Sequence, residues 1–139
     1  MLFARNSQGS KRGVAASPLA PGQSAEATGL IVIAPDAPQA GWARHAFEAV
    51  KAFGPKNGGG HGRFIACVTR LDGAFGLRNA SLATHAETGA LAGLAKTAAR
   101  EWPDVSVRAI DLAPDFSSLD LAADALADEI LADGPVETG

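Results

Sequence analysis

GALAGLAKTAAREWPDVSVRAIDL, from Gly89 to Leu112, is the stretch that decides the fold. Leu91, Leu94, Ala95, Ala98 and Trp102 recur at i, i+3, i+4, i+7 and i+11, the repeat of one buried helix face, while Lys96 and Arg100 fall together on another. Pro103 has no N–H and steers Trp102 out of the helical region. The spacing therefore predicts a helix that stops at Trp102 and a chain that re-enters as a strand over Val105 to Ile110. A helix feeding a strand in this way is the repeating unit of a parallel α/β sheet.

Working outward, Leu30-Ile31-Val32-Ile33 is a continuous apolar run closed by Pro35, the pattern of a strand buried on both faces. Ala40 to Phe53 carries a helical stripe of Trp42, Ala46, Ala49, Val50 and Phe53, stopped by Gly54-Pro55. Arg63 to Thr69 reads as the second buried strand. Arg70 to Thr88 has no sustained periodicity and forms the longest connection. Beyond the third strand, Asp115-Phe116-Ser117-Ser118 supplies an N-cap, and Leu119, Ala122, Leu126 and Ile130 form the stripe of a third helix that ends before Gly134-Pro135. Asp120, Asp124 and Asp128 make that helix's acidic, solvated face.

The order βαβαβα implies a short parallel sheet with right-handed crossovers. Strands laid down in one direction place both crossover helices on one face. The other face is then short of cover, beyond what the third helix supplies by folding back, and is expected to take more protein.

Composition bounds the function. A chain of 139 residues fits one domain, and a net charge of −3 makes no whole-chain case for nucleic acid or an anionic membrane. The charge is uneven: Met1 to Ser24 holds three of the 12 basic side chains and none of the 15 acidic ones, leaving 9 against 15 in the rest. Residues 1–27 read as a disordered basic leader, a tail or an arbitrary translation start, and 28–139 as the folded domain. Gly9, Gly13, Pro18, Pro21 and Gly22 would break the amphipathic helix of a transit peptide, and no apolar run is long enough to cross a bilayer. A single cysteine, Cys67, in an apolar run fits a buried residue in a reducing cytoplasm.

Little here carries chemistry. The run Gly58-Gly59-Gly60-His61-Gly62 follows a helix and opens a strand, the reverse of a dinucleotide-binding loop, so it reads as a linker. His45, His61 and His85 have neither paired spacing nor partner cysteines for zinc. His85 and Glu87 fall together in the long connection as an acid-base pair only in sequence, and Asp72, beside Gly73, reads as a turn former. No G-x-S-x-G elbow is present.

Two stretches carry a resemblance: LAGLAKTAAREWP followed by VRAIDLAP, and VTRLDGAFGL from Val68 to Leu77. Together they resemble short-chain dehydrogenases and reductases, and within them the ketoreductase regions of bacterial polyketide and polyunsaturated fatty acid synthases, over roughly Thr28 to Thr138. Those regions pair a truncated structural half with a catalytic half that binds NADPH. The match is to the structural half. It implies a truncated Rossmann-like three-layer domain that binds no cofactor or metal itself. It also implies a partner, the catalytic half, which reduces a β-ketoacyl group on a carrier protein; the under-covered sheet face leaves a second copy, meeting this chain through that face, as the other expected partner.

The family's catalytic acid is a Tyr tuned by a Lys four residues on, aided by a Ser. This chain has no tyrosine. The pattern puts Thr84 at the Tyr position, Thr88 at the Lys position and the Ser near Leu71 and Asp72. A threonine hydroxyl does not replace a phenol as general acid near neutral pH, so the chain alone is expected to be inactive, with no catalytic residues. Leu91, Leu94 and Trp102 then matter as core or interface. The alternatives are an NAD(P)-dependent oxidoreductase with an unconventional acid, and an interaction module whose acidic third helix docks a basic partner.

Overall fold

A computed structural model describes residues 2–6, 15–18, 27–55, 61–78, 86–113, 115, 117–132 and 134–139. The elements are β1 (Leu2–Asn6), β2 (Ala15–Pro18), β3 (Gly29–Ile33), α1 (Trp42–Phe53), β4 (Phe64–Thr69), α2 (Ala86–Glu101), β5 (Ser106–Asp111), α3 (Leu119–Leu131) and β6 (Glu137–Thr138). They form one sheet in the order β2-β1-β3-β4-β5-β6, parallel from β3 to β6, with β1 antiparallel to β2 and β3. The small Rossmann-like α/β architecture expected from the sequence is present.

The strand alternation sorts the core into two layers. Leu30, Val32, Ile65, Cys67, Val107 and Ala109 face α1 and α2, where they meet Val50, Phe53, Leu91, Ala95 and Ala98. Ile31, Phe64, Ala66, Val68 and Ile110 face the other way, toward Leu126 and Ile130 of α3. Close approaches need glycine at two points beside the core aromatics. A Cβ on Gly29 would lie 1.9 Å from the Phe64 ring, and one on Gly54 would lie 2.4 Å from Trp102. Trp102 thus closes the end of α1 from the loop after α2.

The connections β3–α1–β4 and β4–α2–β5 step in one direction with their helices on one face. The connection β5–α3–β6 steps the same way with its helix on the opposite face, so its hand is reversed. Covering the second apolar face is what this reversal accomplishes, and Ser118 caps α3 by accepting from the Leu121 N–H at 3.2 Å.

Three expectations change. Residues 2–6 and 15–18, placed in a disordered leader, form strands, because β1 pairs with the edge of β3 that the parallel strands leave open. Outermost, β2 ends at Pro18, a residue a sheet tolerates at its edge. The sheet face expected to stand bare is covered: Ile31, Phe64, Ala66, Val68 and Ile110 are all buried within the chain. β6 was hidden in the sequence because two residues leave no periodicity to read.

Candidate functional site

In parallel sheets, ligands are taken in the crevice outside the carboxyl ends of the strands. Here that edge is built from the end of β4, the segment 70–78, the end of β5 and β6. Its centre is Asp111, a carboxylate only 2% exposed. Oδ1 accepts from Thr69 Oγ1 at 2.6 Å and the Leu71 N–H at 2.8 Å. Oδ2 accepts from the N–H groups of Asp72 at 3.2 Å, Ala74 at 3.0 Å and Phe75 at 2.8 Å. Five donors replace the water that a buried anion gives up.

A second carboxylate completes the loop. Asp72 Oδ1 accepts from the Ala74 and Gly76 N–H groups at 2.9 and 2.8 Å, and Oδ2 from the Arg78 N–H at 2.8 Å. The segment curls through left-handed backbone at Gly73, Phe75 and Gly76 to bring these donors inward. Phe75, a non-glycine residue at φ 55, is held there by its own N–H bond to Asp111. The two stretches that carry the family resemblance are therefore joined to each other through Asp111.

Next to this loop, Arg78, Ile110, Leu112, Ala125 and Thr138 line a shallow hollow. Behind it, the guanidinium of Arg108, nearly buried on β5, pairs with the Glu129 carboxylate of α3. The Nε of Arg108 and the Oγ1 of Thr138 are buried without a hydrogen-bond partner.

The other sequence candidates do not converge here. Thr88 lies in α2, 2% exposed, and Thr84 and His85 lie outside the described residues. Glu87 belongs to the first turn of α2 and not to a loop, since the helix starts at Ala86. His45 is exposed on α1, and His61 Nε2 sits 3.8 Å from Asp104 Oδ1 at the surface. Gly58 to Gly60 fall outside the described residues, between the end of α1 and the start of β4. Among the described residues no group of His, Cys, Asp and Glu is placed to hold a metal ion. Cys67 is interior to β4, and burial pushes its thiol up to about 12, away from thiolate chemistry.

A nicotinamide dinucleotide does not fit the helix starts. The first turns of α2 and α3 carry Glu87 and Asp120, which repel a pyrophosphate, and the β3–α1 connection has Pro35, Pro38 and a single glycine, Gly41. Sequence reasoning missed Asp111 as the hub and the Arg108–Glu129 pair. Both signals were present: an aspartate closing an apolar strand, and an arginine inside one.

No protein-family model, curated protein or solved structure matches this chain. Among the described residues no helix is long and apolar enough to cross a membrane.

Proposed function

We propose that this chain is a non-catalytic supporting domain of the ketoreductase type, whose partner half binds NADPH and reduces a β-ketoacyl group. The observation that carries this reading is the self-satisfied carboxylate edge. In the stretch where the resemblance would put a reductase's Ser, Asp72 and the Asp111 beside it accept eight hydrogen bonds from seven donors of their own loop and strand. Hydrogen bonds of this kind hold a loop in shape.

The sequence supports the same reading. The chain has no tyrosine, and Thr88, where the family's lysine would stand, is turned into the core. The role left is mechanical: a rigid α/β layer against which a catalytic half packs.

The test is titration calorimetry with NADPH on the purified chain, alone and with a catalytic ketoreductase half. The expected result is no binding by the chain alone, and a complex with raised reductase activity when the halves are combined. NADPH binding by the isolated chain would remove the proposal.

A further inference from the structure

The crossover of reversed hand, β5–α3–β6, is also the most weakly held part of the fold. No residue of α3 is fully buried. Leu119, Leu121 and Leu131 stand exposed along it, while Leu126 and Ile130, partly buried, meet the sheet around Ile110. β6 is two residues long and lies opposite Ala109 and Ile110 of β5. A strand that short adds little ladder.

Two buried polar atoms count against the closed arrangement. Among the described residues, Arg108 Nε, beneath α3, and Thr138 Oγ1, on β6, have no hydrogen-bond partner. Both regain water when α3 and β6 leave the sheet, which returns the desolvation cost of each. The Arg108–Glu129 pair acts in the other direction, and Lys96 Nζ, 3.0 Å from Glu137 Oε1, adds a solvent-exposed contact of small worth. A crossover of this hand is rare in parallel sheets, because the twist of the strands does not lay its helix back onto the sheet.

Ala109 links this crossover to the core. Its N–H donates to the Val136 carbonyl at 2.6 Å, on the β6 side, whereas the N–H groups of Ser106 and Leu112, at either end of the strand, donate to Arg63 and Thr69 on the β4 side. An amide in the middle of a buried strand therefore depends on β6 for its acceptor. We infer that α3 and β6 form a flap that opens as one unit while β3, β4, β5, α1 and α2 stay folded. The two core layers lie on opposite faces of the sheet, so Leu91, Ala95 and Ala98 keep their contacts when the flap leaves. Opening uncovers Ile110 and frees the outer edge of β5. The inference does not rest on the ketoreductase reading, whose test is NADPH binding.

Native-state hydrogen exchange of the full chain, read amide by amide by NMR across a urea series below the unfolding transition, tests it. In the wild type, Ala109 and the interior amides of α3 should share one protection level, about a hundredfold or more below that of β4 and the interior of α2, and should respond weakly to urea until global unfolding overtakes them. Leu91→Ala should speed the β4 and α2 amides about tenfold or more and leave Ala109 and α3 unchanged, because closed and open states lose the same leucine contacts. Glu129→Ala should speed Ala109 and α3 about tenfold or more, since the pair it removes exists only while the flap is closed. Should a variant fail to fold, the wild-type urea series decides alone. Exchange of Ala109 and α3 at the rate and urea dependence of β4 overturns the inference, as does a response of Ala109 and α3 to Leu91→Ala equal to that of the core. Fast exchange in α3 with Ala109 as slow as β4 would mean that the helix frays by itself and overturns it too.

Discussion

Thr69 donates its hydroxyl to Asp111 Oδ1 at 2.6 Å, joining the carboxyl ends of two neighbouring parallel strands through buried side chains. Thr69 and Asp111 are opposite each other in the β4–β5 register, so the ladder itself sets this contact. The anion then collects the backbone of the following loop. A sheet edge that elsewhere is open to ligands is thereby closed by a single carboxylate.

Removing that carboxylate leaves several donors turned toward a dry site. Asp111→Ala should destabilise the chain by about 3 kcal/mol or more, and Thr69→Val by about 1 to 2 kcal/mol. In the Asp111→Ala background, Thr69→Val should cost little, because its acceptor is gone. Urea denaturation of the two singles and the double measures this coupling. Additive losses would mean that the hydroxyl and the carboxylate act separately.

The Arg108–Glu129 pair fastens α3, a helix with no fully buried residue, to the sheet. Glu129→Ala should cost about 2 to 4 kcal/mol, because the guanidinium is left buried and uncompensated; Glu129 itself is partly exposed, which softens the loss. Replacing both, as Arg108→Met with Glu129→Leu, should recover most of it. Equal instability of the single and double variants would show that α3 is held by other contacts.

Helix α2 shows how far sequence reasoning reaches. The repeat of Leu91, Leu94, Ala95, Ala98 and Trp102 gave the helix and its stop, since Pro103 acts locally and periodicity reports a buried stripe. It did not rank the members: Leu91 is 2% exposed, whereas Leu94 is only partly buried and lines a groove between α1 and α2. Periodicity tells which side faces inward and not how deep each residue sits. The same limit hid the Asp111 hub, whose donors lie about 40 residues away in sequence and meet it only once β4 and β5 pair. The strands at 2–6 and 15–18 were missed because they take their partners from a sheet edge far along the chain.

That difference in depth is measurable. Leu91→Ala should lower stability by about 2 to 5 kcal/mol, the range for a truncated core leucine. Leu94→Ala should cost distinctly less, about 1 kcal/mol. Equal losses would place Leu94 in the core as firmly as Leu91.

Cys67 offers a pH-linked prediction. Its thiol lies in the interior of β4, 1% exposed, and desolvation raises its pKa from 9.0 to about 12. The folded state therefore keeps its proton where the unfolded state has lost it, so the unfolded chain gains a favourable ionisation that the native chain does not. The contribution of the buried thiol is fully present below pH 9.0 and is lost as pH rises from there toward about 12. Stability measured by urea at pH 8 and at pH 10.5 should fall more in the wild type than in Cys67→Ala, whose core has no group to ionise. The thiol should also resist alkylation at pH 8 until urea unfolds the chain. Rapid native-state alkylation, or an equal alkaline loss in both proteins, would mean that the β4 interior admits water and that the thiol is not desolvated.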